Sequence, residues 1–233
     1  MTLALMQPYL FPYMGYFQLI NAVDKFVIYD DAQYIKRGWI NRNRILSGST
    51  DFLFSFSIKK APHTLNINQR FFANSFKSEK EKFAKTLHQL YRRAPNFSET
   101  MNLIENILDY NNDNVAIFIA NSLSKIIDYL DMDTFFVFSS TIVRKVPFKR
   151  EENIVYINQL LGADHYINLI GGRELYSKEY FREKGIKLSF LKMKEFQYKQ
   201  FTNDFVPQLS IIDILMFNDK QKVQQYLGEY ELI

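Results

Sequence analysis

Two adjacent aspartates, Asp30 and Asp31, are the side chains in this sequence best suited to general base chemistry. They directly follow an apolar run and have Tyr29 and Tyr34 as neighbours. Aromatic surroundings raise the pKa of a carboxyl group by desolvation, and such a carboxylate can accept a proton from an attacking amine or hydroxyl. The pattern also has a simpler explanation, because adjacent aspartates after a strand commonly cap a turn.

The stretch from 33 to 44 carries amide and guanidinium side chains rather than flexible solubilising charge. If residues 39–46 are extended, Asn41 and Asn43 face one side, and Arg42 and Arg44 face the other. Forked donors of this kind fit a planar anion such as phosphate or carboxylate. The alternative is an edge strand whose basic side chains face solvent and prevent pairing with neighbours.

Strands and helices alternate in the regions that must position these residues. Strands are predicted at 3–6, 25–29, 134–139, 165–170 and 186–191, and helices at 16–22, 151–161, 177–184, 207–217 and 221–227. This alternation predicts a parallel sheet with right-handed crossovers. Residues 39–58 are predicted to form a β-hairpin, and residues 78–130 form three helices, the first starting at a capping box of Ser78 and Glu81. The fold class is therefore α/β: a mainly parallel, Rossmann-like sheet with flanking helices, a β-hairpin insertion and a helical middle segment at about 78–130. We expect one domain covering residues 1–233.

Ligands of such sheets bind beyond the carboxyl ends of the strands. The residues that end or follow predicted strands are Gln7, Asp30–Asp31, Ser139–Ser140 and Gly171–Gly172. We therefore expect these residues to meet at one edge of the sheet and to border a pocket. The paired glycines permit close approach of the backbone to a ligand, but a plain turn would also explain them.

Composition excludes several classes of chemistry. The chain has 233 residues, of which 47% are hydrophobic, so it can bury a substantial core. The absence of cysteine excludes disulfides, zinc–thiolate sites and thiol nucleophiles. Three widely separated histidines predict no metal site, no GxSxG motif supports a serine triad, and no particular cofactor is indicated. The net charge of +4 is scattered, which disfavours a nucleic-acid partner. No apolar run is long enough to span a bilayer, so we expect a soluble cytoplasmic protein.

Several blocks of the sequence resemble the WbqC-like family. They are QPYLFPYMGYF at 7–17, FVIYDDAQYIKRGWINRNRI at 26–45, LYRRAPNF at 90–97, LGADHYIN at 161–168, GGRELY at 171–176 and LSIIDILMFN at 209–218. The resemblance implies a candidate site made of the matching residues Gln7, Pro8, Tyr9, Pro12, Gly15, Asp30, Asp31, Gln33, Tyr34, Arg37, Trp39, Asn41, Arg42 and Asn43. Ser139, Gly171 and Gly172 join this set as substrate-binding candidates because of their expected place at the sheet edge.

The resemblance also implies a function. Similar proteins are encoded among bacterial surface-polysaccharide and O-antigen genes, where transfer of glycine or another acyl group to an amino sugar has been proposed. We therefore expect a transferase that acylates or aminoacylates a nucleotide-linked amino sugar. Asp30 or Asp31 would act as the base, and Arg37, Arg42 and Arg44 would contact the anion.

The partners implied are a small-molecule substrate, namely a nucleotide sugar, and an acyl or aminoacyl donor. Aromatic and cationic residues occur together in the candidate site, as such a substrate requires, since rings stack on Trp39 or Tyr34 while guanidinium groups bind the pyrophosphate. Two alternatives stay open: a nucleic-acid or tRNA-binding module, and a noncatalytic scaffold of a polysaccharide assembly complex.

Overall fold

The computed structural model describes residues 1–143 and 150–233. Its strands are β1 (Thr2–Met6), β2 (Lys25–Ile28), β3 (Arg42–Ser47), β4 (Thr50–Ser55), β5 (Phe135–Phe138), β6 (His165–Leu169), β7 (Lys187–Met193) and β8 (Tyr230–Leu232). Its helices are α1 (Met14–Asn21), α2 (Phe76–Tyr91), α3 (Phe97–Leu108), α4 (Val115–Tyr129), α5 (Arg150–Leu160), α6 (Lys178–Glu183), α7 (Ile211–Phe217) and α8 (Lys220–Leu227).

Six strands form one sheet in the order β5-β2-β1-β6-β7-β8. The first five are parallel, and β8 runs antiparallel to β7. The expected α/β fold with a mainly parallel sheet is therefore confirmed, including the pairing of the N-terminal strands with the C-terminal set. The order reverses between β1 and β6, which is the topological switch point of Rossmann-like sheets.

The sheet is buried on both faces, because successive strand residues point to opposite sides. Ala4 and Phe26 face the core that contains α1. Leu3 and Val27 face a second core, to which Ile157 of α5 and other residues of α5 and α6 contribute. This two-sided burial explains the continuous apolar runs in β1 and β2.

The connection from β2 to β5 contains the hairpin β3–β4 and then α2, α3 and α4, so the expected hairpin insertion and helical middle segment are both present. The predicted capping box at Ser78 is wrong, because α2 already begins at Phe76. The Phe76 ring stacks on Phe72 at 4.0 Å and contacts Phe118 edge-on at 5.0 Å. This burial extends the helix beyond the start that the local pattern indicated.

The C-terminal region differs from expectation in two places. Helix α7 starts at Ile211 with Ser210 as its N-cap, not at Pro207, and no helix or strand occupies residues 194–209. Strand β8 was not predicted, because three residues carry no readable alternation and its pairing with Met193 of β7 is distant in sequence. No helix in the described parts of the chain has the length and apolarity needed to cross a bilayer.

Candidate functional site

Asp30 and the Ser139–Ser140 step meet at the carboxyl ends of β2 and β5. One oxygen of Asp30 accepts hydrogen bonds from the Ser139 hydroxyl at 3.0 Å and the Ser140 backbone N–H at 2.9 Å, and the other accepts from the Ser140 hydroxyl at 2.6 Å. Asp31 also lies within hydrogen-bond distance of the Ser139 hydroxyl. Asp30 is buried, whereas Asp31 is half-buried. Asp30 therefore links the end of β2 to the end of β5, and Asp31 is the more accessible of the two carboxylates.

A cleft of about 620 Å³ adjoins the loop that follows these aspartates. The predicted site residues Gln33, Tyr34, Arg37, Asn41 and Arg42 line it, but Asp30 and Asp31 do not. Its wall also contains five basic side chains that were not among the predicted site residues, namely Lys36, Lys59, Lys60, His63 and Arg70. We call this the cationic cleft, because its lining includes six Lys or Arg residues and no Asp or Glu. Low-dielectric walls concentrate the potential of such a charge set and favour anions.

Two backbone hydrogen bonds hold the walls of the cationic cleft together. The Tyr34 N–H donates to the Leu65 carbonyl at 3.2 Å, and the Ile67 N–H donates to the Ala32 carbonyl at 2.9 Å. The loop after β2 is therefore fixed against the segment that supplies Arg70. The only sequence signal for this wall was a cluster of basic residues in a stretch without predicted helix or strand.

Arg70 is the most buried cation of the cleft, with 5% of its surface exposed. Its guanidinium lies over the Tyr34 ring at 5.0 Å and donates to the carbonyls of Ala61 at 3.3 Å and Pro62 at 2.7 Å, while its Nε has no hydrogen-bond partner in the described part of the chain. Within the described residues, no carboxylate forms an ion pair with it. A buried cation with only neutral partners is costly, so an anion bound in the cleft would stabilise it.

Trp39 does not line the cationic cleft, but it contacts Arg42 of the cleft lining and Tyr9 of the loop after β1. The indole is 45% exposed, with the Arg42 guanidinium at 5.1 Å and the Arg44 guanidinium at 5.7 Å from its centroid. Both arginines therefore lie on one side of the strand, as the alternation predicted. The Tyr9 ring is 6.3 Å from that of Trp39. Burial is the main cause that raises the pKa of Tyr9 above its ordinary value.

The arginines near Trp39 are partly engaged within the protein. Arg42 donates to the backbone carbonyls of Gly38, at 2.9 Å, and of Arg37. Arg44 forms a 3.6 Å ion pair with Asp51 and does not line the cleft. The guanidinium set expected to contact an anion is thus split, with Arg37 and Arg42 at the cleft and Arg44 outside it.

Asn43 and Gly15 have structural partners that account for them. Asn43 is 1% exposed, and its amide donates to the Phe11 carbonyl at 2.6 Å, so it fixes the loop after β1 where Phe11 has a φ of 44°. A Cβ added to Gly15 would lie 2.6 Å from a carbon of the Tyr13 ring. Close packing of that ring, rather than a ligand, explains the glycine. In the same loop, the Gln7 carbonyl accepts a hydrogen bond from the Tyr16 hydroxyl at 2.8 Å.

Gly171 and Gly172 follow β6, which is separated from β2 by β1 at the same edge of the sheet. A Cβ on Gly172 would lie 2.9 Å from the side-chain nitrogen of Asn168, so an intramolecular contact accounts for this glycine. Gly171 is exposed and faces open space. Neither glycine lines the cationic cleft.

Asp213 is a second buried carboxylate, and its surface is 0% exposed. It accepts hydrogen bonds from Tyr91 at 2.7 Å, Tyr198 at 2.5 Å and Gln200 at 3.0 Å. Burial raises its pKa above the ordinary value, although these donors oppose the shift. A cluster of hydrogen-bond donors therefore surrounds this aspartate among its apolar neighbours. It anchors the segment 194–209 to α7.

The described residues contain no group of three or more His, Asp or Glu side chains that could hold a metal ion. The fold and the site together define an α/β protein with a Rossmann-like sheet, a carboxylate pair at the sheet edge and an adjoining cationic cleft.

The chain belongs to the WbqC-like protein family, whose family model matches residues 7–225. It is also similar to a protein of Mycobacterium tuberculosis named "Uncharacterized protein Rv1507c", with 28% identity over 232 residues that cover 96% of each chain. No solved structure matches the chain significantly.

Proposed function

We propose that this protein is a transferase that acylates or aminoacylates a nucleotide-linked amino sugar during bacterial surface-polysaccharide synthesis. The observation that carries the proposal is the cationic cleft, with six Lys or Arg residues and no acid in its lining. A nucleotide sugar brings a pyrophosphate, which suits this charge, and planar or apolar rings, which suit the exposed Trp39 and the half-buried Tyr34. The polysaccharide setting follows from family resemblance.

Arg70 is the assigned anchor for the pyrophosphate. It is buried, its position is fixed by Tyr34 and two carbonyls, and its charge lacks a carboxylate partner among the described residues. A preorganised guanidinium loses little side-chain entropy on binding, which favours phosphate recognition. The exposed Lys36 and Lys60 add long-range attraction.

Asp31 is the assigned base. It precedes Gln33, which lines the cleft, by two residues, so their Cα atoms are at most about 7 Å apart. In the proposed step the sugar amine attacks the acyl carbonyl of the donor, a C–N bond forms, the bond to the leaving group breaks, and Asp31 takes the amine proton. Asp30, whose two oxygens already accept hydrogen bonds, positions Asp31 through Ser139.

Thermal unfolding with a panel of UDP- and dTDP-linked amino sugars tests the proposal. A ligand present at 100 times its Kd stabilises the native state by about 2.7 kcal/mol. The double variant Lys36→Gln/Lys60→Gln should weaken this response, because both lysines line the cleft and are exposed. Lys85→Gln/Lys125→Gln makes the same charge change on exposed helical positions outside the cleft and should respond like the parent protein. If no nucleotide sugar in the panel raises the unfolding temperature, the proposed substrate class is wrong.

The same cations favour a second candidate, a nucleic-acid-binding module. Its affinity for an oligonucleotide would fall steeply with salt, because each neutralised phosphate releases counterions. An Asp31→Asn variant separates the two functions. A transferase should keep substrate binding and lose turnover, whereas a binding module should show no nucleotide-sugar turnover before or after the change.

A further inference from the structure

A second cavity, of about 400 Å³, opens where α1 begins and β7 ends. We call it the aromatic cavity, because Tyr13, Phe196, Tyr198 and Phe205 line it together with apolar side chains. Among the residues that the structure describes, its lining includes one acid, Glu195, and no Lys, Arg or His. This chemistry is the opposite of that in the cationic cleft, although the Tyr13 ring lies 6.5 Å from Tyr9, which contacts Trp39.

The aromatic rings that line this cavity pack against one another at different angles. Tyr198 and Phe205 have centroids 5.1 Å apart and planes at 83°, and Phe196 lies 6.3 Å from Tyr198 at 28°. Phe196 also stacks on Tyr226, with ring centroids 4.4 Å apart. The face of an aromatic ring carries partial negative charge and attracts cations. Tyr198, Phe205 and Phe196 therefore line one cavity with rings in different orientations.

A hydrogen bond holds the Tyr198 ring in place and increases the electron density of that ring. The Tyr198 hydroxyl donates to the buried Asp213 at 2.5 Å, and Gln200 donates to the same carboxylate at 3.0 Å. Donation to a carboxylate pushes electron density into the phenol ring, which strengthens its attraction for a cation. A ring held before binding also loses less conformational entropy when a ligand arrives.

We propose that the aromatic cavity binds an organic ammonium ion, with Tyr198 and Phe205 contacting the cation and Glu195 contributing the negative charge at the opening. The proposal concerns residues outside the cationic cleft and the aspartate pair. The natural source of the ammonium group, an aminoacyl donor or an amino sugar, rests on the proposed transferase function.

Isothermal titration with choline and its uncharged carbon isostere, 3,3-dimethylbutan-1-ol, tests the role of the positive charge. The two probes have nearly the same shape, so a purely apolar cavity would bind them equally. We expect choline to bind about tenfold more tightly, a ratio that one desolvated cation–π site supplies. Equal affinities, or no saturable binding of choline, would overturn the proposal.

Matched variants locate the site. Glu195→Gln changes an exposed side chain and should weaken choline binding several-fold without affecting folding. Phe205→Leu removes a ring but keeps apolar bulk and should also weaken binding, whereas Phe201→Leu makes the same change on the same segment outside the cavity and should not. If Phe205→Leu fails to fold, Glu195→Gln alone decides, and unchanged affinity in that variant would refute the assignment.

The proposals of an ammonium site and of a nucleotide-sugar site can be refuted independently. The variant Lys36→Gln/Lys60→Gln should bind choline like the parent protein, because both lysines lie outside the aromatic cavity. If the parent protein binds choline but no nucleotide sugar, the cleft assignment alone is wrong; if it binds a nucleotide sugar but no choline, the ammonium site alone is wrong. Displacement of choline by glycinamide or by glucosamine then distinguishes an aminoacyl group from an amino sugar as the natural occupant.

Discussion

Removal of the Asp213 carboxylate should destabilise the protein strongly. The change Asp213→Ala leaves Tyr91, Tyr198 and Gln200 without the acceptor that they share. A buried donor that loses its partner costs about 1–3 kcal/mol. Gln200 keeps a second acceptor, the Val206 carbonyl at 3.1 Å, so the sum is less than three full penalties. We expect a loss of about 3–5 kcal/mol in the free energy of unfolding.

The assay is urea unfolding at pH 7, followed by far-UV circular dichroism. Tyr198→Phe is the matched control, because it removes one hydroxyl from the cluster and should cost only about 1–2 kcal/mol. An Asp213→Ala variant within about 1 kcal/mol of the parent protein would show that the donors find other partners. In that case the carboxylate would not anchor segment 194–209.

The same cluster gives a pH dependence whose sign follows from the pKa shift. Burial raises the pKa of Asp213 above its ordinary value of 3.8, so the native state keeps this proton to higher pH than the unfolded chain does. The free energy of unfolding therefore falls as pH rises through that window, by at most about 1.4 kcal/mol per pH unit for one proton. Asp213→Asn lacks this proton, so its stability relative to the parent should improve as pH rises from 3.8. A constant difference between the two proteins would contradict the shift.

Three further substitutions test other contacts by urea unfolding. Ser140→Ala removes the 2.6 Å hydrogen bond to the Asp30 carboxylate and should cost about 1.5–3 kcal/mol; a neutral result would mean that the Ser139 hydroxyl and the Ser140 N–H hold Asp30 without this bond. Asn43→Ala removes the 2.6 Å hydrogen bond to the Phe11 carbonyl and should cost about 1–2 kcal/mol. Unchanged stability would show that other contacts hold the loop after β1. Gly15→Ala should destabilise the parent protein but stabilise a Tyr13→Ala background by up to about 1 kcal/mol, because only the ring opposes the gain in helix propensity. Destabilisation in both backgrounds would show that the glycine has another role.

Local signals in the sequence predicted the elements well where a single residue decides the geometry. Three helices were predicted within residues 78–130, and the Asn114 side chain accepts a hydrogen bond from the Ile117 N–H at 3.1 Å at the start of the third, α4. The helix predicted at 151–161 ends before Gly162, which has a φ of 71°, a conformation that other residues rarely adopt. The meeting of Asp30 with Ser139 also followed from the sequence, because parallel strands present their carboxyl ends at one edge.

The cationic cleft was only half predicted, for a physical reason. Gln33, Tyr34 and Arg42 belong to one conspicuous stretch, but the opposite wall comes from a segment without helical or strand periodicity. Arg70 reaches Tyr34 only through tertiary packing, which no local pattern encodes. Asn43 was predicted to contact a ligand because of its residue type and its place in the same stretch. It is buried instead, and its amide donates to the Phe11 carbonyl.

The pairing of Lys25 with Phe135 has a consequence for how the chain folds. These neighbouring strands are joined through the entire hairpin and helical segment, so their contact closes a very long loop and gains nothing until that loop is ordered. Contacts of high sequence separation slow folding. We therefore expect the hairpin and the helices to form early and β5 to join the sheet late. The pairing of β5 with β2, rather than helix formation, would then be the slow step in folding.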